Sequence, residues 1–126
     1  MSELGKRIIV VLDVPSLGFD PSSCVRARAI DVFKTLREPC RVDRASVMYA
    51  QRPSIELTES IASEFPGVEI WNPRDALCDK SWCYAIKDGE VLYRDPDHLS
   101  VEGSKYVWRI ISNDKRQDLA QRQRGP

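Results

Sequence analysis

The segment from Arg7 to Asp13, RIIVVLD, restricts the fold of this chain more than any other. It is a continuous apolar run rich in β-branched residues, and it lacks the apolar–polar alternation of a strand with one wet face. Such a run is typical of a central parallel strand that is covered on both faces. The next segment, from Val14 to Ser23, is rich in Pro, Gly and Ser and predicts a loop at the carboxyl end of that strand.

Helical and extended patterns then alternate along the chain. Ser22 or Ser23 can cap a first helix, whose apolar face has spacings of three and four residues: Val25, Ala29, Val32, Phe33 and Leu36. A weak strand is predicted from Ala45 to Tyr49. A second helix is predicted to begin at Pro53 and Ser54 and to end at Pro66, with one face made of Ile55, Thr58, Ile61, Ala62 and Phe65.

The segment from Val68 to Pro73 predicts another strand, so the order strand, helix, strand indicates an α/β fold with a parallel layer. Asp88-Gly89 lies between two short strand-like segments and predicts a tight hairpin. Ser100 is placed to cap a last helix, in which Gly103 would permit close approach of another backbone. We expect a domain over residues 1–112 and a polar, frayed tail over 113–126.

Composition and charge argue weakly against two classes of partner. The 126 residues carry a formal net charge of zero, so no long-range field favours nucleic acid or an anionic membrane. No stretch approaches the roughly 20 apolar residues that span a bilayer. The apolar run near the N-terminus is short and is interrupted by Asp13, so we interpret it as a strand and expect no export signal in this chain.

The four cysteines form two local pairs, Cys24 with Cys40 and Cys78 with Cys83. Short separations of this kind are typical of two disulfides formed in an oxidising compartment. A zinc site is the competing interpretation, although only the second pair comes near the usual ligand spacing. Four unrelated reduced thiols are the third.

Asp95 and His98 are the candidate catalytic residues. A carboxylate three residues before a histidine can hydrogen-bond one imidazole nitrogen, which leaves the other free to take a proton from a hydroxyl. The spacing alone favours a surface histidine in an acidic turn. Asp97 between them is interpreted as a turn former.

A longer pattern surrounds this pair. The segment from Leu77 to Val107 contains cysteines, then the hairpin, then a match to Y-x-D-x-x-H-L-S-x-x-G, whose fixed positions are Tyr93, Asp95, His98, Leu99, Ser100 and Gly103. It resembles the end of the SGNH domains fused to bacterial membrane acyltransferases, and the resemblance extends back to the run that begins at Gly5.

The resemblance implies an incomplete flavodoxin-like three-layer fold that contains the last two parallel strands, helices and a β-hairpin. It also implies that Asp95 orients His98 and that His98 acts as general base and then general acid, without a cofactor or a metal. The implied reaction moves an acyl group, commonly acetyl, to a carbohydrate of lipopolysaccharide, peptidoglycan or an exported oligosaccharide. The implied location is the periplasmic side of the bacterial inner membrane.

The nucleophile that such an enzyme needs does not occur in this sequence. There is no G-D-S block and no G-x-N-D block, and Ser100 and Ser104 lie too close to His98 along the chain to replace them. We therefore expect a C-terminal fragment whose partners are a missing N-terminal SGNH half and a transmembrane acyltransferase domain, and which is inert alone. A non-catalytic remnant that binds carbohydrate or a partner is the alternative, and an α/β domain with an accidental Asp–His pair is the third hypothesis.

Overall fold

The computed structural model describes residues 5–25 and 39–125. In chain order the elements are β1 (Ile8–Val11), a 3-10 turn (Pro21–Cys24), β2 (Arg41–Asp43), α1 (Arg44–Ser63), β3 (Val68–Trp71), α2 (Arg74–Leu77), β4 (Trp82–Tyr84), β5 (Ile86–Lys87), β6 (Glu90–Val91), β7 (Tyr93–Asp95), β8 (His98–Leu99) and α3 (Val101–Arg124).

The two apolar runs predicted as parallel strands pair with each other. β1 and β3 run parallel in a register that places Ile8 opposite Val68 and Val11 opposite Trp71. A mixed arrangement of helices and strands with a parallel pair confirms the α/β class. Within the described residues β1 has a neighbouring strand on one side only, and Val11 is 56% exposed, so β1 is less covered than its sequence predicts.

The predicted strand from Ala45 to Tyr49 is wrong, because α1 already begins at Arg44. Asp43 caps this helix, since its carboxylate accepts the backbone N–H of Ser46 at 2.8 Å. Pro53, predicted as the start of the helix, lies inside it, where it removes one backbone hydrogen bond without ending the helix. The extended residues of this region are instead those of β2, which pairs antiparallel with β4.

Only the beginning of the first predicted helix falls on described residues. Pro21–Cys24 forms the 3-10 turn, capped by Asp20, whose carboxylate accepts the N–H of Ser22 at 2.9 Å. The rest of that predicted helix, residues 26–38, lies outside the described residues and stays a prediction.

The hairpin and its turn are confirmed. β5 and β6 are antiparallel, and the residues between them, Asp88 and Gly89, have φ values of 51° and 79°. Two successive positive φ values define the turn type that matches the twist of a two-residue hairpin, and Gly adopts such values without strain.

The cap of the last helix is also confirmed. The Ser100 hydroxyl oxygen accepts the N–H of Gly103 at 2.9 Å, and Gly103, Val107 and Ile111 form the buried face of α3. The frayed tail expected from residue 113 differs from the structure, in which α3 continues to Arg124 with a mostly exposed surface. Its Gln, Lys, Arg, Leu and Ala residues have high helix propensity, which polarity alone does not reveal.

The hydrophobic core lies between β3, α2, the hairpin and α3. Its buried members are Leu17, Trp71, Ala76, Leu77, Ala85, Leu92, Tyr93, Val107 and Ile111. Leu92 and Tyr93 anchor the end of the hairpin in this core. The turn that carries Asp95 and His98 therefore begins at a rigid point.

Candidate active site

A short antiparallel pair brings Asp95 and His98 together. In the register of β7 and β8 these two residues lie opposite each other, with Pro96 and Asp97 as the turn between them. His98 Nδ1 lies 2.9 Å from Asp95 Oδ1 and 3.1 Å from Oδ2. The two side chains that the sequence predicts as partners are thus in hydrogen-bond contact.

The surroundings of Asp95 determine which imidazole nitrogen carries the proton. The N–H of Asp97 donates to Asp95 Oδ1 at 2.9 Å. This bond, followed by the contact with His98, lowers the pKa of Asp95 below its usual value, so the carboxylate is ionised at neutral pH. Because an ionised carboxylate only accepts hydrogen bonds, Nδ1 of a neutral His98 is the donor and Nε2 carries the free lone pair.

His98 lines an open cavity of about 1100 Å³. Asp97, Leu99 and Arg94 also line the cavity, and most of its remaining surface comes from α1 and the loop after β1. This loop follows the carboxyl end of a parallel strand, the position at which open α/β sheets bind ligands. The His98 side chain is 64% exposed, so a molecule in the cavity can reach it.

Gln51 of α1 holds the beginning of that loop. Its Nε2 donates to the carbonyl oxygens of Asp13 at 3.1 Å and of Val14 at 3.0 Å. The side chain lines the cavity, and its Oε1 is buried without a hydrogen-bond partner among the described residues.

The far end of the loop is bonded to the turn that carries Asp95 and His98. The N–H of Leu17 donates to the carbonyl oxygen of Pro96 at 2.9 Å. The hydroxyl of Tyr93 donates to the carbonyl oxygen of Pro15 at 2.8 Å, and burial raises the pKa of this tyrosine. The loop therefore connects the α1 side of the cavity to the Asp95–His98 turn.

Three of the serines near His98 are committed to local structure and one lies on an exposed helix surface, whereas Ser16 lines the cavity from the exposed loop after β1. Ser100 donates to the carbonyl oxygen of Val91 at 2.9 Å while it caps α3. Ser46 and Ser54 line the cavity, but their hydroxyls donate to Asp43 and to the backbone of Gln51. Ser104 lines the cavity from the first turn of α3.

Both predicted disulfides are present, Cys24–Cys40 and Cys78–Cys83, with Cα atoms 5.9 and 3.9 Å apart. This arrangement excludes the zinc and reduced-thiol interpretations in the structure described here. Among the described residues, no group of three or more His, Cys, Asp or Glu side chains is arranged to hold a metal ion.

Sequence reasoning did not identify Gln51 or the Tyr93 hydroxyl as parts of this site. Gln51 lies between the strand predicted to end at Tyr49 and the helix predicted to begin at Pro53. The sequence therefore gave no indication that its side chain faces the loop after β1. Tyr93 stood in the recognised pattern, but nothing in the pattern indicated that its hydroxyl reaches Pro15, 78 residues away.

Comparison with known proteins adds one finding. A family model described as the SGNH domain (fused to AT3 domains) matches residues 1–113. No curated protein and no solved structure matches the chain significantly. None of the helices in residues 5–25 and 39–125 is long and apolar enough to cross a bilayer.

Proposed function

This chain belongs to the family of SGNH domains fused to AT3 domains, and from that premise we propose that it supplies the Asp–His part of a Ser-His-Asp triad. The family membership indicates a domain of the hydrolase and acyltransferase type, with a membrane acyltransferase domain as its partner in the parent protein. The proposed reaction transfers an acyl group, acetyl in the first instance, from an acyl donor to a cell-surface carbohydrate.

The observation that carries the proposal is the contact between His98 Nδ1 and the ionised Asp95 carboxylate at 2.9 Å, beside an open cavity. In the proposed mechanism His98 Nε2 takes the proton from a hydroxyl as its oxygen attacks the acyl carbonyl carbon. Asp95 stabilises the imidazolium that forms. His98 then gives the proton to the leaving oxygen, so the pair returns to its starting state without a cofactor.

The nucleophilic serine is proposed to come from an N-terminal SGNH half, as part of a flavodoxin-like three-layer fold that this chain completes. Two features of β1 support this arrangement. Val11 is exposed on a strand whose second edge is unpaired among the described residues. A groove of about 100 Å³, lined by Val10, Leu12, Ile55 and Thr58, lies between this strand and α1. A further apolar strand could pair with this edge of β1 and end beside the cavity.

The periplasmic side of the bacterial inner membrane is the proposed location. Two disulfides support an oxidising compartment, because thiols in the cytosol are kept reduced. The AT3 partner domain indicated by the family supports proximity to a membrane.

The test measures release of acetate from 4-nitrophenyl acetate by a polypeptide that joins this chain to an N-terminal SGNH segment bearing a G-D-S block. His98→Ala and Asp95→Asn are expected to lower turnover by about a thousandfold or more. Asp75→Asn, an exposed substitution on α2 away from the cavity, is the matched control and is expected to retain activity. Full activity of His98→Ala would refute the proposed base.

The absence of a G-D-S block in this chain favours one alternative, a non-catalytic remnant that binds carbohydrate or a protein partner. The same preparations distinguish it. Under this alternative, neither the wild-type joined polypeptide nor any variant shows turnover above the uncatalysed rate. The chain alone nevertheless binds an oligosaccharide saturably.

A further inference from the structure

Tyr93 belongs to the same short pattern as Asp95 and His98, yet the proposed acid–base chemistry assigns no task to its hydroxyl. The side chain is 2% exposed, and the hydroxyl donates to the carbonyl oxygen of Pro15 at 2.8 Å. Burial raises the pKa of Tyr93, so the hydroxyl remains protonated and acts as a permanent donor. Pro15 is itself fully buried, so without this donor its carbonyl oxygen is a buried acceptor that has lost its hydrogen bond.

Two residues beyond Pro15, the chain makes a second contact that leads to the catalytic turn. The N–H of Leu17 donates to the carbonyl oxygen of Pro96 at 2.9 Å. The N–H of Asp97 belongs to the same peptide unit as that carbonyl, and it donates to Asp95 Oδ1 at 2.9 Å. Because a peptide unit is planar, holding its carbonyl on one side also sets the direction of its N–H on the other.

We propose that Tyr93 is a positioning residue for the Asp95–His98 pair. Its hydroxyl fixes the loop at Pro15, Leu17 of that loop fixes the Pro96–Asp97 peptide, and the N–H of this peptide orients the Asp95 carboxylate that holds His98. The significance for acyl transfer rests on the proposed function, whereas the positioning itself is a property of the folded chain.

Removing the Tyr93 hydroxyl has a defined consequence. The buried Pro15 carbonyl loses its donor, the loop relaxes, and the Pro96–Asp97 peptide gains freedom to rotate. The N–H of Asp97 then makes a weaker bond to Asp95, so the carboxylate has a wider range of orientations and becomes more basic. His98 in turn loses part of its preference for carrying the proton on Nδ1.

The test is NMR spectroscopy of the full chain as wild type, Tyr93→Phe and Tyr106→Phe. Tyr106 is a partly buried tyrosine of α3 whose hydroxyl makes no hydrogen bond to the loop or the turn among the described residues, so Tyr106→Phe is the matched control. His98 is the only histidine of the chain, and its ring nitrogen signals can be assigned without ambiguity. The measurements are the titration of the Asp95 carboxyl carbon, the Asp97 amide proton shift and the His98 tautomer.

In Tyr93→Phe the pKa of Asp95 is expected to rise towards that of an ordinary aspartate, the Asp97 amide signal to move upfield, and the Nδ1–H tautomer to become less populated. The control is expected to match wild type in all three. Exchange of the Leu17 amide with solvent gives a second measurement and is expected to accelerate in Tyr93→Phe only. If Tyr93→Phe lowers the melting temperature but leaves Asp95, Asp97 and His98 unchanged, Tyr93 is a purely structural residue and the proposal is overturned.

A kinetic measurement separates this proposal from the proposed function. In the joined polypeptide with a G-D-S block, Tyr93→Phe is expected to lower kcat by about tenfold or more with little change in KM, because a misplaced base affects the chemical step. If His98→Ala is as active as wild type while the NMR changes are present, the proposed function fails and the positioning stands. Unchanged NMR signals refute the positioning whatever the activity.

Discussion

Gly103 lies directly against the backbone of Leu92: a Cβ atom on Gly103 would stand 1.8 Å from the Leu92 carbonyl oxygen and 2.7 Å from its carbonyl carbon. The same carbonyl accepts the N–H of Ser100 at 2.9 Å. The first turn of α3 therefore packs directly against the backbone of Leu92, three residues before Asp95. This contact sets the distance between the helix and the turn that carries the Asp–His pair.

The first prediction concerns this contact. Gly103→Ala is expected to lower the free energy of unfolding by about 3 kcal/mol, because the new methyl group meets backbone atoms that cannot move without displacing the hairpin. Gly125→Ala is the matched control, since its Cβ would lie 3.5 Å from the nearest atom, and it is expected to be close to neutral. Chemical denaturation measures both. Equal stability of the two variants would contradict the close approach.

The second prediction concerns stability at acid pH. The hydroxyl of Tyr84 and the N–H groups of Ser81 and Trp82 donate to the Asp79 carboxylate and lower its pKa from 3.8 to about 2. A carboxylate with a lowered pKa stabilises the fold above pH 4, and this contribution is lost as the pH falls from about 4 to about 2.

Tyr84→Phe removes the donor with the largest effect, so this variant is expected to lose less stability than wild type over that pH interval. Thermal melts at a series of pH values measure the difference. Tyr49→Phe, at an 80% exposed position, is the control that should follow the wild-type profile. A Tyr84→Phe profile parallel to that of wild type throughout would show that the bond does not persist in solution.

The third prediction concerns the disulfides. Replacing Cys24 and Cys40 together by Ala is expected to lower the free energy of unfolding by about 3 kcal/mol, because the bridge closes a loop across a separation of 16 residues. Replacing Cys78 and Cys83, which are separated by 5 residues, is expected to lower the free energy of unfolding by about 2 kcal/mol, because a shorter loop constrains the unfolded chain less. Under reducing conditions the free energies of unfolding of the Cys24/Cys40 variant and of wild type should become equal. A difference that survives reduction would mean that packing, not the bridge, is responsible.

The fourth prediction concerns the edge of β1 that has no partner strand within residues 5–25 and 39–125. The chain alone is expected to self-associate through this edge, because among the described residues it has no strand partner and Val11 on it is exposed. Val11→Lys should reduce the association, since a charged side chain disfavours strand addition. Val101→Lys, at a 71% exposed position of α3, is the control and should associate as wild type does. A wild-type chain that is soluble, monomeric and melts sharply would contradict the prediction.

The candidate site could be predicted only in part. The spacing of Asp95 and His98 allowed a hydrogen bond, and Pro96 and Asp97 between them indicated a turn. The tautomer could not be predicted, because it depends on the Asp97 N–H and on Asp95 being ionised. Gln51 and Pro15 could not be placed either, since each acts through a contact between residues far apart in the sequence.

Local patterns determined those features whose causes are local. The apolar run of β1, the Asp88-Gly89 turn and the Ser100 cap each follow from backbone preferences or side-chain reach within a few residues. The start of α1 was misassigned, because Pro53 is a strong local signal while the Asp43 cap that overrides it depends on where β2 ends. Only the tertiary structure decided that His98 lines the cavity and which residues hold the loop after β1. These relationships arise from packing between segments that are distant along the chain, and no short pattern encodes such packing.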